Sequence, residues 1–118
     1  MDMMSTLIWK LKANTGLNVY PAPKPVGASV PCLTVQIISD PTQDSNHSAG
    51  GSLHRSRVQI GHIGDYEVAR PLVQTVQSYL EGNKTDFLSC LSDGIYQEIP
   101  EAEDLWSIVK GYFIQWRY

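Results

Sequence analysis

Cysteine is scarce: Cys32 and Cys90 are the only two in 118 residues, with no C-x-x-C and no histidines clustered beside either. That excludes a disulfide-dense scaffold and the usual zinc-ligand spacings. Cys32 falls in the apolar run 31–35, where a free thiol packs as a small hydrophobe, so two inert reduced thiols are expected, with a single bridge left open. Basic residues are also few. Nine Lys and Arg against twelve Asp and Glu leave a net charge of −3 and a pI near 5.5, the wrong balance for a general nucleic-acid binder, which must displace counterions from phosphates. No stretch approaches the roughly 18 consecutive apolar residues of a membrane span. The start, Met1-Asp2-Met3-Met4-Ser5, lacks the basic flank and long apolar segment of a signal peptide, and a soluble chain made inside the cell is expected. Charged residues are 18%, below the usual quarter, while Ser, Thr, Asn and Gln number 28. Much of the surface should therefore be neutral and polar, which suits a face pressed against other subunits. Apolar residues at 42% exclude disorder throughout, and the length fits one domain, 1–118, with a core sufficient to stand without disulfide or metal.

Catalytic and cofactor motifs are missing as well. No G-x-S-x-G elbow occurs, and Gly61-His62-Ile63-Gly64 lacks the G-K-[ST] or third spaced glycine of a phosphate loop. His54 and His62 share strand parity but lie eight residues apart, roughly 26 Å along an extended strand, too far to share one metal. His47 falls in a loop, and each histidine is expected to be an ordinary surface or edge residue. No catalytic residue, metal site or cofactor is assigned.

What is present is a clear order of elements. Leu7, Ile8 and Leu11 at helical spacing predict a short helix over 4–14, stopped by Asn14-Thr15-Gly16, and a short extended piece over 17–20. Four prolines in 21–31 predict an extended surface arm, a rigid connector or a docking segment. Alternation predicts strands over 31–39 and 52–63. Between them, 40–51 holds no large apolar side chain, and a twelve-residue loop there is the first place to look for a partner contact. Asp65 as N-cap and Gly82 as a left-handed terminator bracket a helix over 66–81, with Val68, Leu72, Val76 and Tyr79 at core spacing and Val73 and Leu80 widening the stripe. Pro71 there predicts a kink or an irregular first turn. The segment 85–92 reads as a helical turn or a strand entry. Two strands, 95–99 and 105–118, close the chain, the second with Trp106, Ile108, Tyr112, Ile114, Trp116 and Tyr118 on one parity. The order predicts an α+β domain: a mainly antiparallel sheet of four to five strands, one long helix packed across one face, and a short N-terminal helix.

Two charged groups stand out. Asp93, Glu98, Glu101, Glu103 and Asp104 span twelve residues without a Lys or Arg, which describes a solvated turn, an attractor of a divalent cation, or a partner for a basic patch on a neighbouring subunit. Arg55 and Arg57 share a strand face opposite Val58 and Ile60 and could anchor a carboxylate-bearing partner or keep an edge strand soluble. The aromatics around Arg117 look like a base-stacking platform but alternate as a buried face does.

With these landmarks in order, a family comes into view. An N-terminal helix precedes Val19-Tyr20-Pro21, then the strand entry Val30-Pro31-Cys32-Leu33-Thr34-Val35-Gln36. Arg57-Val58-Gln59-Ile60 runs into a helix opened by Asp65-Tyr66-Glu67-Val68-Ala69-Arg70 and closed by Val76-Gln77-Ser78-Tyr79-Leu80-Glu81-Gly82, and an aromatic strand ends the chain. This pattern resembles the small tail-completion, or tail-terminator, proteins of long-tailed bacteriophages across nearly the whole chain. The resemblance implies a structural virion protein that is not an enzyme: a homohexameric ring at the head-proximal end of the tail tube, assembled in the host cytoplasm. The ring stops tube polymerisation and offers the docking surface for the head connector. Its partners would be itself, the tail-tube protein and the connector, with DNA only as passing cargo and no membrane. Another neck component, such as a head-completion or stopper protein, and a small nucleic-acid-binding module are the alternatives. Asp40, Asp44, Asn46, His47, Arg55, Arg57, Glu101, Glu103 and Asp104 are the candidate inter-subunit or tube contacts.

Overall fold

A computed structural model describes residues 3–39, 42–44, 53–82, 87 and 89–117. The elements run α1 (Met3–Thr15), β1 (Asn18–Pro21), β2 (Cys32–Ser39), β3 (Thr42–Asp44), β4 (Leu53–Gly64), α2 (Tyr66–Gly82), β5 (Ser89–Ala102) and β6 (Leu105–Arg117). The sheet has the order β1-β2-β4-β6-β5, with the short β3 added to β4. β1 pairs parallel to β2 and every other pairing is antiparallel, so the sheet is mixed where a mainly antiparallel one was expected. The expectation of a single long helix and a short partner is corrected too: α1 has 13 residues and α2 has 17, and both are needed to cover the sheet.

Both helices lie on the same face. α1 packs beside β1 and β2, and α2 crosses β4, β5 and β6. The core they enclose joins Leu7 and Leu11 of α1, Leu33 and Val35 of β2, Val58 and Ile60 of β4, Val76 and Leu80 of α2, and Tyr112 and Ile114 of β6. Register explains the membership. Directly opposed residues share a face, so Val35↔Ile60 and Ile37↔Val58 place the β2 and β4 alternations together, and Val58↔Tyr112 and Ser56↔Ile114 carry the same face into β6. Buried Trp116 donates its Nε1–H to Ser56 Oγ at 2.8 Å. Cys32 and Cys90 are both buried thiols outside any disulfide, on opposite faces of the sheet.

Local chemistry sets the ends. Gly16 (φ 72°) closes α1 in the left-handed region, its N–H donating to Lys12 O at 2.9 Å. The second helix opens on the Asp65 carbonyl, which accepts from the N–H groups of Val68 and Ala69 at 3.0 and 2.7 Å. Its first turn is regular α-helix, and Pro71 sits on the exposed side. Gly82 is still helical and not among the left-handed glycines, so the predicted terminator does not act as one. The buried stripe of α2 is also rotated from the expected one: Ala69, Val73, Val76 and Leu80 face the core, Leu72 and Tyr79 flank it, and Val68 is exposed. The proline arm does not stay extended. It folds back through Pro25-Val26-Gly27-Ala28, where Ala28 N–H donates to Pro25 O at 3.1 Å and Gly27 at φ 82° supplies the type II position. The expected loop over 40–51 is partly strand, since Thr42↔His54 and Asp44↔Leu53 extend the ladder on β4. Of the ambiguous segment 85–92, residues 89–92 form the start of β5, and 85, 86 and 88 lie outside the described residues. No helix among the described residues is long and apolar enough to cross a membrane.

Candidate functional site

One sheet face is buried under the helices; the other carries Arg55, Arg57 and their neighbours. On this open face Arg55 is exposed and its guanidinium lies 4.4 Å from the centroid of the Phe113 ring. Arg57, two residues on, lies 5.7 Å from the same ring and directs its Nε–H to Asp93 Oδ2 at 2.9 Å. Asp93 sits in a bulge. Between Ser92↔Tyr112 and Tyr96↔Lys110 the outer strand uses three residues where β6 uses only Gly111. Gly94 (φ 87°) makes the bend, and Ile95 N–H donates to Asp93 Oδ1 at 2.8 Å. The carboxylate then lies on the bare backbone of Gly111, in the space any Cβ there would fill, and the Asp93 side chain is fully buried.

The hairpin of β5 and β6 is exposed at every residue from Gln97 to Asp104. Asp104 makes the turn at φ 61°, a conformation that aspartate tolerates better than most residues. Where the hairpin meets the start of α2, Asp65, Tyr66, Glu67, Asp104 and Trp106 line a pocket of about 370 Å³. Its aromatic floor is an edge-to-face pair, Tyr66 and Trp106, with centroids 5.0 Å apart. Glu98 accepts from Tyr66 Oη at 3.1 Å and from Tyr96 Oη at 2.7 Å. The hydrogen bond to Glu98, helped by partial burial and the charge of Glu98, pushes the Tyr96 phenol above its ordinary pKa. A second pocket, about 340 Å³, lies where the arm crosses the open face, with Lys24 on one wall and Glu101 on another. Among the described residues no group of three or more His, Cys, Asp or Glu is placed to hold a metal ion. The arrangement is one of charge, aromatic rings and strand edges, suited to binding.

No family model matches the chain, and no curated protein matches it in sequence. Among solved structures, it is similar to a chain in the virion of a native gene transfer agent (GTA) particle. That likeness has 18% identity and a TM-score of 0.55, over 92% of this chain and 84% of the other. At that identity the fold is shared.

The candidate contacts fall into separate places. Glu101, Glu103 and Asp104 are exposed at the hairpin tip. Arg55 pairs with Gln115, while the tip closes at Ala102↔Leu105, ten residues further along β6 and roughly 33 Å away. The fold therefore does not bring the arginine pair and the acidic tip of one molecule together. Asp44 lies in β3, and Asp40, Asn46 and His47 lie outside the described residues. Asp93 leaves the acidic cluster altogether, because its charge is occupied by Arg57. An Asp-Gly step inside a strand pattern, with a glycine in the partner strand, is the signal that could have marked this bulge. His62 was expected at the surface and is instead fully buried, its Nδ1 2.7 Å from Ile108 O.

Proposed function

We propose that this chain is a virion structural protein of the tail-terminator kind. It forms a closed ring, six copies in the family it resembles, on the head-proximal end of a tail tube, stops tube growth and presents a surface to the head connector. It works by binding, without a catalytic step. The observation that carries this reading is the shared fold with a gene transfer agent virion chain over 92% of the present one, which agrees with the order of landmarks from Val19-Tyr20-Pro21 to the closing aromatic strand. A ring of identical subunits needs heterologous interfaces that close, and the open sheet face and exposed hairpin supply surface for them. Nucleic-acid binding through the aromatic strand is disfavoured by the packing of Tyr112 and Trp116 in the core, where no ring face is open to a base.

Electron microscopy of polymerising tail tubes with the purified chain tests the proposal. Tubes should shorten and carry a ring of added density at one end, and light scattering should give a ring-sized mass. Tubes that grow to the same length with bare ends, at saturating protein, would overturn it.

A further inference from the structure

The sheet has two edges, and they differ in charge. On one side the outermost strand is β5, fourteen residues long and paired only to β6 among the described residues. From Ser89 to Asp104 there is no Lys or Arg, and apart from Asp93, which Arg57 holds, this edge and its turn carry four carboxylates. On the other side, residues 3–39 contain no acidic residue at all, and Lys10 and Lys12 of α1 supply positive charge, while Lys24 of the arm lines the pocket that it shares with Glu101. That side is made of α1, β1 and β2. Because β1 covers only Cys32–Val35, no strand among the described residues pairs with the outer side of β2 beyond Val35.

Exposed apolar side chains occur on both edges: Leu91, Tyr96 and Ile99 stand on the acidic edge and Trp9 and Ile38 on the side of α1 and β2, while Val26 and Val30 lie in the arm and Val68 on α2. Unpaired strand edges are templates for pairing, and charge decides which edges can meet. Two β5 edges brought together would oppose Glu98 and Glu101 of both copies. A β5 edge against α1, β1 and β2 meets no like charge from residues 3–39; Asp44, in β3, lies further along the same side of β4.

We propose that copies of this chain associate head to tail, with the acidic outer strand β5 of one copy against the acid-free edge of α1, β1 and β2 of the next. This rests on the ring reading above and gives it a surface. Such a contact is heterologous, so each copy keeps one free edge until the series closes. Opposite charges on the two edges also steer the encounter and fix its direction.

Light scattering over a concentration and salt series on the full chain tests it, with thermal melts to show that each variant folds. Glu101→Lys with Glu103→Lys should weaken self-association about tenfold or more at low salt, and so should Lys10→Glu with Lys12→Glu. The chain carrying all four changes should recover most of the loss, as should a mixture of the two defective chains. Glu101→Gln with Glu103→Gln gives a smaller loss in the same direction should a reversal disturb folding. Association unchanged by either reversal, loss without rescue, a symmetric dimer cross-linked through β5, or a wild-type chain monomeric to its solubility limit at low salt would each overturn the edge proposal. The tube-capping assay is read separately, so a ring built on other surfaces would still cap tubes while these charge variants left its assembly untouched.

Discussion

At the scale of single residues the two least satisfied groups of the core make opposite predictions. His62 donates from Nδ1 to the Ile108 carbonyl, which fixes the neutral tautomer and leaves Nε2 buried without a partner. A bare lone pair is tolerable there; a second, charged N–H is not. Burial pulls the pKa down from 6.5 to about 4; the hydrogen bond to Ile108 opposes that fall, and the charge of Lys110 adds to it. The unfolded chain thus binds the proton more readily than the folded one between those values. The stability is complete above pH 6.5, falls as pH drops toward 4, and the gap corresponds to about 3 kcal/mol. Urea melts at pH 7, 5.5 and 4 should show this slope, and His62→Gln, which keeps an amide donor but cannot titrate, should flatten it. The Tyr112 hydroxyl is also buried with no hydrogen-bond partner, and burial raises its pKa well above the ordinary phenol value. Its ring fills the core between β4 and α2, so the ring is needed and the oxygen is not. Tyr112→Phe should leave the melting temperature unchanged or raise it, since removing an unsatisfied hydroxyl recovers its desolvation cost. A drop of several degrees would mean that the hydroxyl is bonded.

At the scale of elements the bulge in β5 is the feature with the sharpest consequence. Gly111→Ala would place a Cβ where the Asp93 carboxylate lies, displacing it from both Arg57 and the Ile95 N–H. The Arg57 side chain is 37% exposed, so its share of the loss is small, and the larger part is the buried carboxylate and amide left apart. A cost of about 2–3 kcal/mol is expected for Gly111→Ala alone. In an Asp93→Ala background the same change should cost less than about 0.5 kcal/mol, because the obstruction is gone. Additive effects in denaturant melts would reject this geometry. The bulge also shows what could be read ahead of the structure. Alternation placed β2, β4 and β6 correctly, because Leu33, Val35, Val58, Ile60 and Tyr112 repeat at the two-residue period of a half-buried strand. On β5 it found only 95–99 of Ser89–Ala102, because edge residues exposed on both faces have little alternation to show. It also misplaced the face of α2. Ala69 is too small to register as core, yet at 0% exposure it marks where the helix sits closest to the sheet, and Val68 is left outside. The parallel pairing of β1 left no mark at all, since four residues carry too little pattern to fix direction. Of the candidate contacts, Arg55 and the acidic turn are exposed as their sequence context indicated. The ion pair of Arg57 depends on a register between β4, β6 and β5 that no local pattern encodes.

For the whole molecule, cohesion is concentrated at one side of the length and thins toward the hairpin tip. The strands β4 and β6 are central, each paired on both sides, and both helices press on the face they share with β2. By contrast, the distal part of β5 has one neighbouring strand, and every residue from Gln97 to Ala102 is exposed. Local opening is easiest where few apolar contacts are lost, so stability should grade along the hairpin instead of being shared evenly. Amide hydrogen exchange measured on the isolated chain should find the slowest amides in the parts of β4 and β6 around Val58 and Tyr112, opening only with global unfolding. The amides of residues 97–105 should exchange orders of magnitude faster, with those near Cys90 in between because that end of β5 still packs on the core. If copies meet edge to edge, the same measurement at a concentration where they associate should slow residues 97–102 selectively, because a second strand then pairs the open side of β5. Uniform slowing across the sheet would indicate general stabilisation, and no change in 97–102 would show that the hairpin remains free when copies join.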